Sequence, residues 1–166
     1  MVDLASRPPP TPFSERTGLL GVRVMESINV SLFRLSHGHV GGTIFGEPVI
    51  LLTTTGRKSG KRYTKPLLAL RSRKGSWFVV GSRGGTTGHP DWYLNLCAYI
   101  ADPGPLLAPV VEARNGVRVA VTPENLTGAT RQKWWDRFVR VYPKFDAYQR
   151  RAPHRLIPII KLTPKH

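Results

Sequence analysis

Three apolar or β-branched runs, each closed by a glycine-containing turn, fill the middle of this chain. PVILLTTT begins at Pro48 and ends in the turn GRKSG; a run from Tyr63 to Arg71 is followed by Lys74-Gly75; WFVVG spans Trp77 to Gly81. Strands joined by turns this short cannot be parallel, because a parallel crossover needs about a dozen residues or more. An antiparallel sheet therefore grows from the centre outward, with Pro66 marking an edge or a bulge. Two further strands, about Leu107 to Ala113 and Val117 to Thr122, flank the hairpin signal Asn115-Gly116. Leu156 to Leu162 is a last strand, interrupted by Pro158. Pro90 opens a helix through Trp92, Tyr93, Leu96 and Ile100. Thr127 caps a second through Trp134, Phe138 and Val141, and Ser14 a first that runs to about Leu35. The fold class is α+β: a small closed or split β-barrel of about six mostly antiparallel strands with flanking helices. The 166 residues suit one domain, residues 14–166, behind a flexible Pro-rich arm at 1–13.

Between Glu47 and Asp91 there is no acidic residue, while nine Lys or Arg occur: Arg57, Lys58, Lys61, Arg62, Lys65, Arg71, Arg73, Lys74 and Arg83. The whole chain carries a net charge of +15. Such a field attracts nucleic acid, an anionic membrane surface or a polyanionic small molecule. No helix-turn-helix, zinc-finger or RNP pattern is present, so a nucleic-acid partner is not expected, although the charge leaves a basic nucleic-acid-binding module as an alternative function. In the first helix Val22, Met25, Ile28, Leu32 and Leu35 form an apolar stripe beside Arg16, Arg23 and Arg34. Residues 14–35 can thus pack on the core or make peripheral contact with a membrane. No run approaches the roughly 20 apolar residues of a membrane span. Cys97 is the single cysteine, which rules out an internal disulfide and suits the cytoplasm, at most at the inner face of the cell membrane.

Two loops could carry chemistry. In Gly56–Gly60 the glycines open backbone N–H groups to an anion, and Arg57, Lys58 and Ser59 add donors. This is no Walker loop, since GxxxxGK[ST] is absent. In SRGGTTGHP, Gly84 and Gly85 do the same, Arg83 adds charge, and a helix N-terminus follows. If the strands before these loops are neighbours, both loops converge on one anionic ligand. Tyr142, Phe145 and Tyr148, spaced by three in a turn after Tyr142-Pro143, are either core or the lid of a flat ring system. In the second case a Tyr hydroxyl could donate a proton. The five histidines are scattered without partner ligands, so no metal is expected. Cys97 has no activating pattern and is expected to be buried and inert. A basic site with few acid or base groups suits an enzyme whose cofactor supplies the chemistry.

LLTTTGRKSGKRYTKPLLAL followed by SRGGTTGHPDWYLNL, with RVYPKFDAYQRR and IPIIKL behind, resembles the deazaflavin-dependent nitroreductase family over about residues 14–162. These are coenzyme F420-dependent quinone and nitro reductases of actinobacteria. The resemblance implies a split barrel like those of FMN-binding and pyridoxamine-phosphate-oxidase-like proteins. It implies hydride transfer from reduced F420 to an electron-poor organic acceptor. Carried over by position, Arg57 and Lys58 meet the cofactor's phosphate or polyglutamate tail, in a surface that includes Ser59, Lys61, Arg62 and Lys65. Ser82, Arg83, Gly84 and Gly85 hold phosphate and ring, and Trp92 lies beside them. Tyr142 and Tyr148 are candidate proton donors, and Phe145 borders the substrate pocket. The chain departs from the family at Tyr63, where a basic residue is common, at Leu68, where an aromatic can occur, and at Arg83, which replaces Lys. Phe145 stands where a relative active on bicyclic nitroimidazoles has Tyr, which favours a quinone or another conjugated, electron-poor acceptor over a nitroimidazole. FMN is the alternative cofactor; lacking the tail, it would leave much of the basic surface without a partner.

Overall fold

The computed structural model describes residues 30–44, 46–104 and 106–165. The Pro-rich arm and most of the first helix lie outside these residues; positions 30–35 are helical and are named α1. In chain order there follow β1 (Thr43–Ile44), β2 (Glu47–Thr55), β3 (Arg62–Arg71), β4 (Trp77–Val80), α2 (Asp91–Ala101), β5 (Val110–Ala113), β6 (Val117–Asn125), α3 (Gly128–Val141), α4 (Lys144–Arg151) and β7 (Ile159–Pro164).

Every strand pair is antiparallel, and the order β2-β3-β4-β7-β6-β5 closes because β5 also pairs with β2. Closure removes the open edges that would otherwise template aggregation. The barrel is split by two strands that change partner midway. Arg62 to Leu68 pair with β2, and Ala69 to Arg71 pair with β4. Likewise Val117 to Ala120 pair with β5, and Val121 to Asn125 with β7. Pro66 lies in the stretch paired on one side only, where its missing N–H is tolerated.

β2 is apolar at successive positions because both its faces are covered. Ile50 and Leu52 face a core shared with Val79, Val111, Ile160 and Leu162, onto which α2 lays Trp92, Tyr93 and Leu96. Val49 and Leu51 meet Phe33 of α1. A separate cluster joins Leu70, Phe78 and Ile159 to Trp134, Trp135 and Phe138 of α3 and Phe145 of α4. Phe78 and Trp134 stack at 3.5 Å between centroids.

Three expectations need correction. The turn expected around Phe145 is the helix α4. The strand expected from Leu107 begins at Val110. The last strand begins at Ile159, directly after Pro158. In addition, Pro90 precedes its helix as N-cap and Asp91 takes the first helical position. Among the described residues no helix is long and apolar enough to cross a membrane.

Candidate cofactor site

The loop after β4 is built by its carbonyls. Gly81 is fixed first: its N–H donates to the Pro158 carbonyl at 2.9 Å, and an added Cβ would stand 2.7 Å from Pro158 Cγ. Ser82 has right-handed helical angles (φ −70°, ψ −38°), and Arg83, Gly84 and Gly85 follow with φ of 45°, 64° and 77°. A right-to-left-handed succession turns consecutive N–H groups to one side, forming an anion-binding concavity, or nest. The N–H groups of Ser82, Arg83 and Gly84 have no hydrogen-bond partner among the described residues. The left-handed angle at Arg83, a non-glycine, costs about 1–2 kcal/mol and needs an outside restraint.

That restraint comes from two sides. A Cβ at Gly85 would lie 2.7 Å from the Tyr148 carbonyl oxygen and 2.8 Å from its Cα, so the loop presses directly on the α4 backbone. On the other side Arg155, in the segment between α4 and β7, donates to three loop carbonyls. Its Nη2 reaches Ser82 O at 2.7 Å, Nη1 reaches Gly81 O at 3.2 Å, and Nε reaches Thr86 O at 3.0 Å. Nη1 also lies 3.4 Å from His89 Nδ1. Burial, and secondarily the Arg155 charge, lowers the His89 pKa, consistent with a neutral ring whose Nδ1 accepts. Arg83 itself is exposed, with Nη1 donating to His89 O at 3.1 Å.

The basic turn is held against α2. Gly56 N–H donates to Lys61 O at 2.7 Å, closing the turn. The Arg57 backbone N–H and Nη1 both donate to Asn95 Oδ1, at 3.1 and 3.0 Å, and its guanidinium meets Asp91 Oδ1 at 3.2 Å. Asn95 is 4% exposed and donates in turn to Thr54 Oγ1 at 3.2 Å. The two loops therefore meet through α2, which starts where the second loop ends. Adjacency of their parent strands is not the cause: β3 separates β2 from β4.

The expected cations divide into two kinds. Lys58 and Lys61 are exposed, as is Ser59, whose Oγ is 3.1 Å from Tyr63 Oη. Arg62 points elsewhere: its Nη1 donates to Thr55 Oγ1 at 2.8 Å and to the carbonyls of Leu107 and Ala108 at 3.1 and 3.0 Å. Burial, then repulsion from Arg118, lowers its pKa. Arg62 thus ties the barrel to the segment before β5. Lys65 is half-buried on β3 opposite Leu52.

Of the aromatic set, Tyr142 and Tyr148 remain half-buried, with hydroxyls 3.2 Å apart. Their hydrogen bond, followed by burial, raises the Tyr148 pKa. Phe145 is a core residue of α4. It is 7% exposed and packed edge-to-face on Phe138, Tyr142 and Tyr148 at 5.9, 5.2 and 6.0 Å. Trp92 is likewise a core residue at 7% exposure, with its ring edge-on to Tyr93. Cys97 is half-buried rather than buried. Burial and a hydrogen bond with Cys97 push the Tyr93 pKa up to about 12. A groove of about 590 Å³ between α3 and α4, lined by Gln132, Trp135, Asp136, Val139, Arg140 and Asp146, contains none of the expected site residues.

Sequence reasoning missed Asp91, Asn95, Gln149 and Arg155. Gln149 ties α4 to the Arg155 segment, donating to Ala152 O and Arg155 O at 3.2 and 2.8 Å and accepting from Ile157 N at 2.9 Å. The only available signal was the Asn95 position in WYLNL, a polar residue on an otherwise apolar helix face. Arg155 acts on residues some 70 positions away, and such a bond leaves no local periodicity.

A model of the F420H(2)-dependent quinone reductase family matches residues 25–164. "Putative F420H(2)-dependent quinone reductase Rv3178" of Mycobacterium tuberculosis is 34% identical over 119 residues, 71% of this chain and 91% of that protein. F420H(2)-dependent quinone reductase Rv1261c of the same species is 34% identical over 80 residues, 48% of this chain and 52% of its own length. A solved F420-H2 dependent reductase (FDR-A) superposes with a TM-score of 0.57 at 34% identity, covering 69% of this chain and 93% of that one. A structure described as a domain-swapped dimer gives 0.59 at 30% identity, covering 90% and 98%. The family match takes in the barrel, both loops and the tyrosine helix, and the chain belongs to the F420H(2)-dependent quinone reductase family.

Proposed function

We propose that the Ser82–Gly85 nest holds the phosphate of coenzyme F420, that Lys58 and Lys61 meet its polyglutamate tail, and that Tyr142 and Tyr148 border the acceptor. By family the protein is an F420H2-dependent reductase with a quinone acceptor. The observation that carries the residue assignment is the run of unpartnered N–H groups at Ser82, Arg83 and Gly84. A phosphate needs such donors with no competing carboxylate, and a chain of carboxylates needs exposed ammonium groups nearby. Both kinds of group are present, and the basic turn is docked through Arg57 on α2, which begins where the nest loop ends.

When bound, reduced F420 supplies a hydride. The protein supplies alignment, a contribution that can reach roughly 7–11 kcal/mol. A quinone that takes a hydride also gains a proton on oxygen. Tyr148 can hold that proton as a neutral phenol, the ordinary state of a tyrosine near pH 7, and its hydrogen bond to Tyr142, then burial, raise its pKa further. Tyr142, 3.2 Å away, can accept or return it. Phe145 has no hydroxyl and acts as the floor on which the two tyrosines rest.

The test is a titration of the full chain with oxidised F420 and with FMN, followed by tryptophan fluorescence. F420 is expected to bind with a dissociation constant below about a millimolar, and FMN more weakly. A Lys58→Ala/Lys61→Ala double variant should lose about tenfold in F420 affinity and show a flatter salt dependence. Equal binding of both cofactors, or an unchanged double variant, would remove the tail assignment.

A further inference from the structure

We propose that Arg155 is the positioning residue of the nest: it aims the N–H groups of Ser82 and Arg83 by holding the carbonyls bonded to them. The proposal rests on the phosphate reading above and extends it to a residue outside the loop. The argument is geometric. In a trans peptide the C=O and the following N–H point in opposite directions. Gly81 O is therefore antiparallel to Ser82 N–H, and Ser82 O to Arg83 N–H. Both carbonyls are taken by Arg155, at 3.2 and 2.7 Å. Arg83 O, which sets Gly84 N–H, accepts from Thr86 N–H at 3.3 Å and Thr86 Oγ1 at 3.1 Å, and Thr86 O is in turn held by Arg155 Nε at 3.0 Å. Directly or through Thr86, one guanidinium thus orients every peptide of the nest.

The same residue couples the nest to the tyrosines. Gln149 fixes the Arg155 backbone to α4, and Tyr148, beside Gln149, presses on Gly85. Movement of Arg155 therefore shifts the nest against Tyr148. Lysine cannot replace it, since a single ammonium lacks the planar fork that reaches three carbonyls at once. Arg155 is also half-buried, and its pKa is lowered by burial, then by Arg83; its loss would take a donor from each of these carbonyls, with Ser82 O keeping the Gly85 N–H at 2.9 Å.

The experiment compares wild-type, Arg155→Lys and Arg155→Ala full chains with three probes: F420, the same deazaflavin chromophore lacking phosphate and tail, and inorganic phosphate. Backbone amide shifts of Ser82 and Arg83 report phosphate directly. Arg155→Lys should weaken F420 about tenfold or more, leave the phosphate-free chromophore within about twofold, and abolish the phosphate-induced shifts. Added guanidinium ion should restore F420 binding to Arg155→Ala. If Arg155→Ala does not fold, the Arg155→Lys data stand alone. Equal weakening of both chromophores, or wild-type phosphate shifts in Arg155→Lys, would overturn the proposal, as would wild-type amides that ignore both phosphate and F420. Wild-type amides that respond to phosphate while the protein ignores F420 would instead refute the cofactor reading and leave the role of Arg155 in place.

Discussion

Gly84 and Gly85 are adjacent and both left-handed, and they differ sharply in what an added side chain would meet. An alanine Cβ at Gly84 (φ 64°) would meet nothing within 4 Å. At Gly85 (φ 77°) it would meet the Tyr148 carbonyl oxygen at 2.7 Å, Cα at 2.8 Å and carbonyl carbon at 3.1 Å. These are backbone atoms of a helix and cannot rotate away. Gly84→Ala should therefore cost only the left-handed penalty, about 1 kcal/mol. Gly85→Ala carries that penalty and adds an overpacking cost of about 1–3 kcal/mol, for a total of about 2–4 kcal/mol. Urea denaturation of both variants, read by tryptophan fluorescence and circular dichroism, measures the difference. F420 titration of the same samples reads the site. Gly84→Ala retains its N–H and should bind within a few fold of wild type. Gly85→Ala must move the nest off α4 and should bind F420 markedly less well. Equal destabilisation by the two substitutions would refute the claim that the loop is seated on Tyr148.

Asp91→Asn removes the charge facing Arg57. The Asp91 side chain is 78% exposed, so stability should change by less than about 1 kcal/mol. F420 affinity should rise, because Arg57 becomes available to the anionic tail; a fall in affinity by titration would show that Asp91 serves the site by holding Arg57 in place. The Tyr142–Tyr148 bond makes a pH prediction. Tyr148 has a raised pKa in the folded protein, so its contribution is complete below the ordinary tyrosine value of about 10 and is lost as pH rises through the folded pKa. Wild-type stability should therefore fall in strongly alkaline denaturation series, and Tyr142→Phe should show a smaller fall over the same range.

The strands were readable because their cause is local. PVILLTTT, the Asn115-Gly116 turn and WFVVG each carry their own pattern, and all appear within a few residues of the expected limits. Closure into a barrel was expected as an architecture, but the β2–β5 pairing that achieves it has no sequence signal of its own. The helix α4 was missed because Pro143 looked like a stop. At its N-cap a proline is tolerated, and Phe145, Tyr148 and Gln149 then follow at helical spacing. In the site, the donor-rich loops were legible from glycine and charge. Which cation faces solvent was not: Arg62 and Lys61 are neighbours of similar chemistry, yet the carbonyls of Leu107 and Ala108 claim the first and leave the second exposed.

The acid-free stretch acquires a sharper meaning from the residue that ends it. Asp91 takes the first helical position of α2, where a carboxylate is favoured by the helix dipole, and it faces Arg57 at 3.2 Å. A carboxylate at that place opposes an anionic ligand, so its presence needs a compensating effect. Asn95 points to one. Its Oδ1 receives both the backbone and the side chain of Arg57, so the basic turn is docked on α2 by a neutral, buried acceptor, while the exposed Asp91 carboxylate accepts from Nη1 and Nη2 of the guanidinium alone. The turn can then keep its position when Asp91 gives up the guanidinium to a stronger anion. Replacing Asn95 by Leu tests this separation of roles. It removes a buried acceptor and leaves Thr54 and the Arg57 N–H without their partner, which should cost about 1–3 kcal/mol in denaturant unfolding and detach the turn from the nest. Tailed F420 should then lose affinity more than the tail-free chromophore; equal loss for both would mean that the turn does not reach the tail.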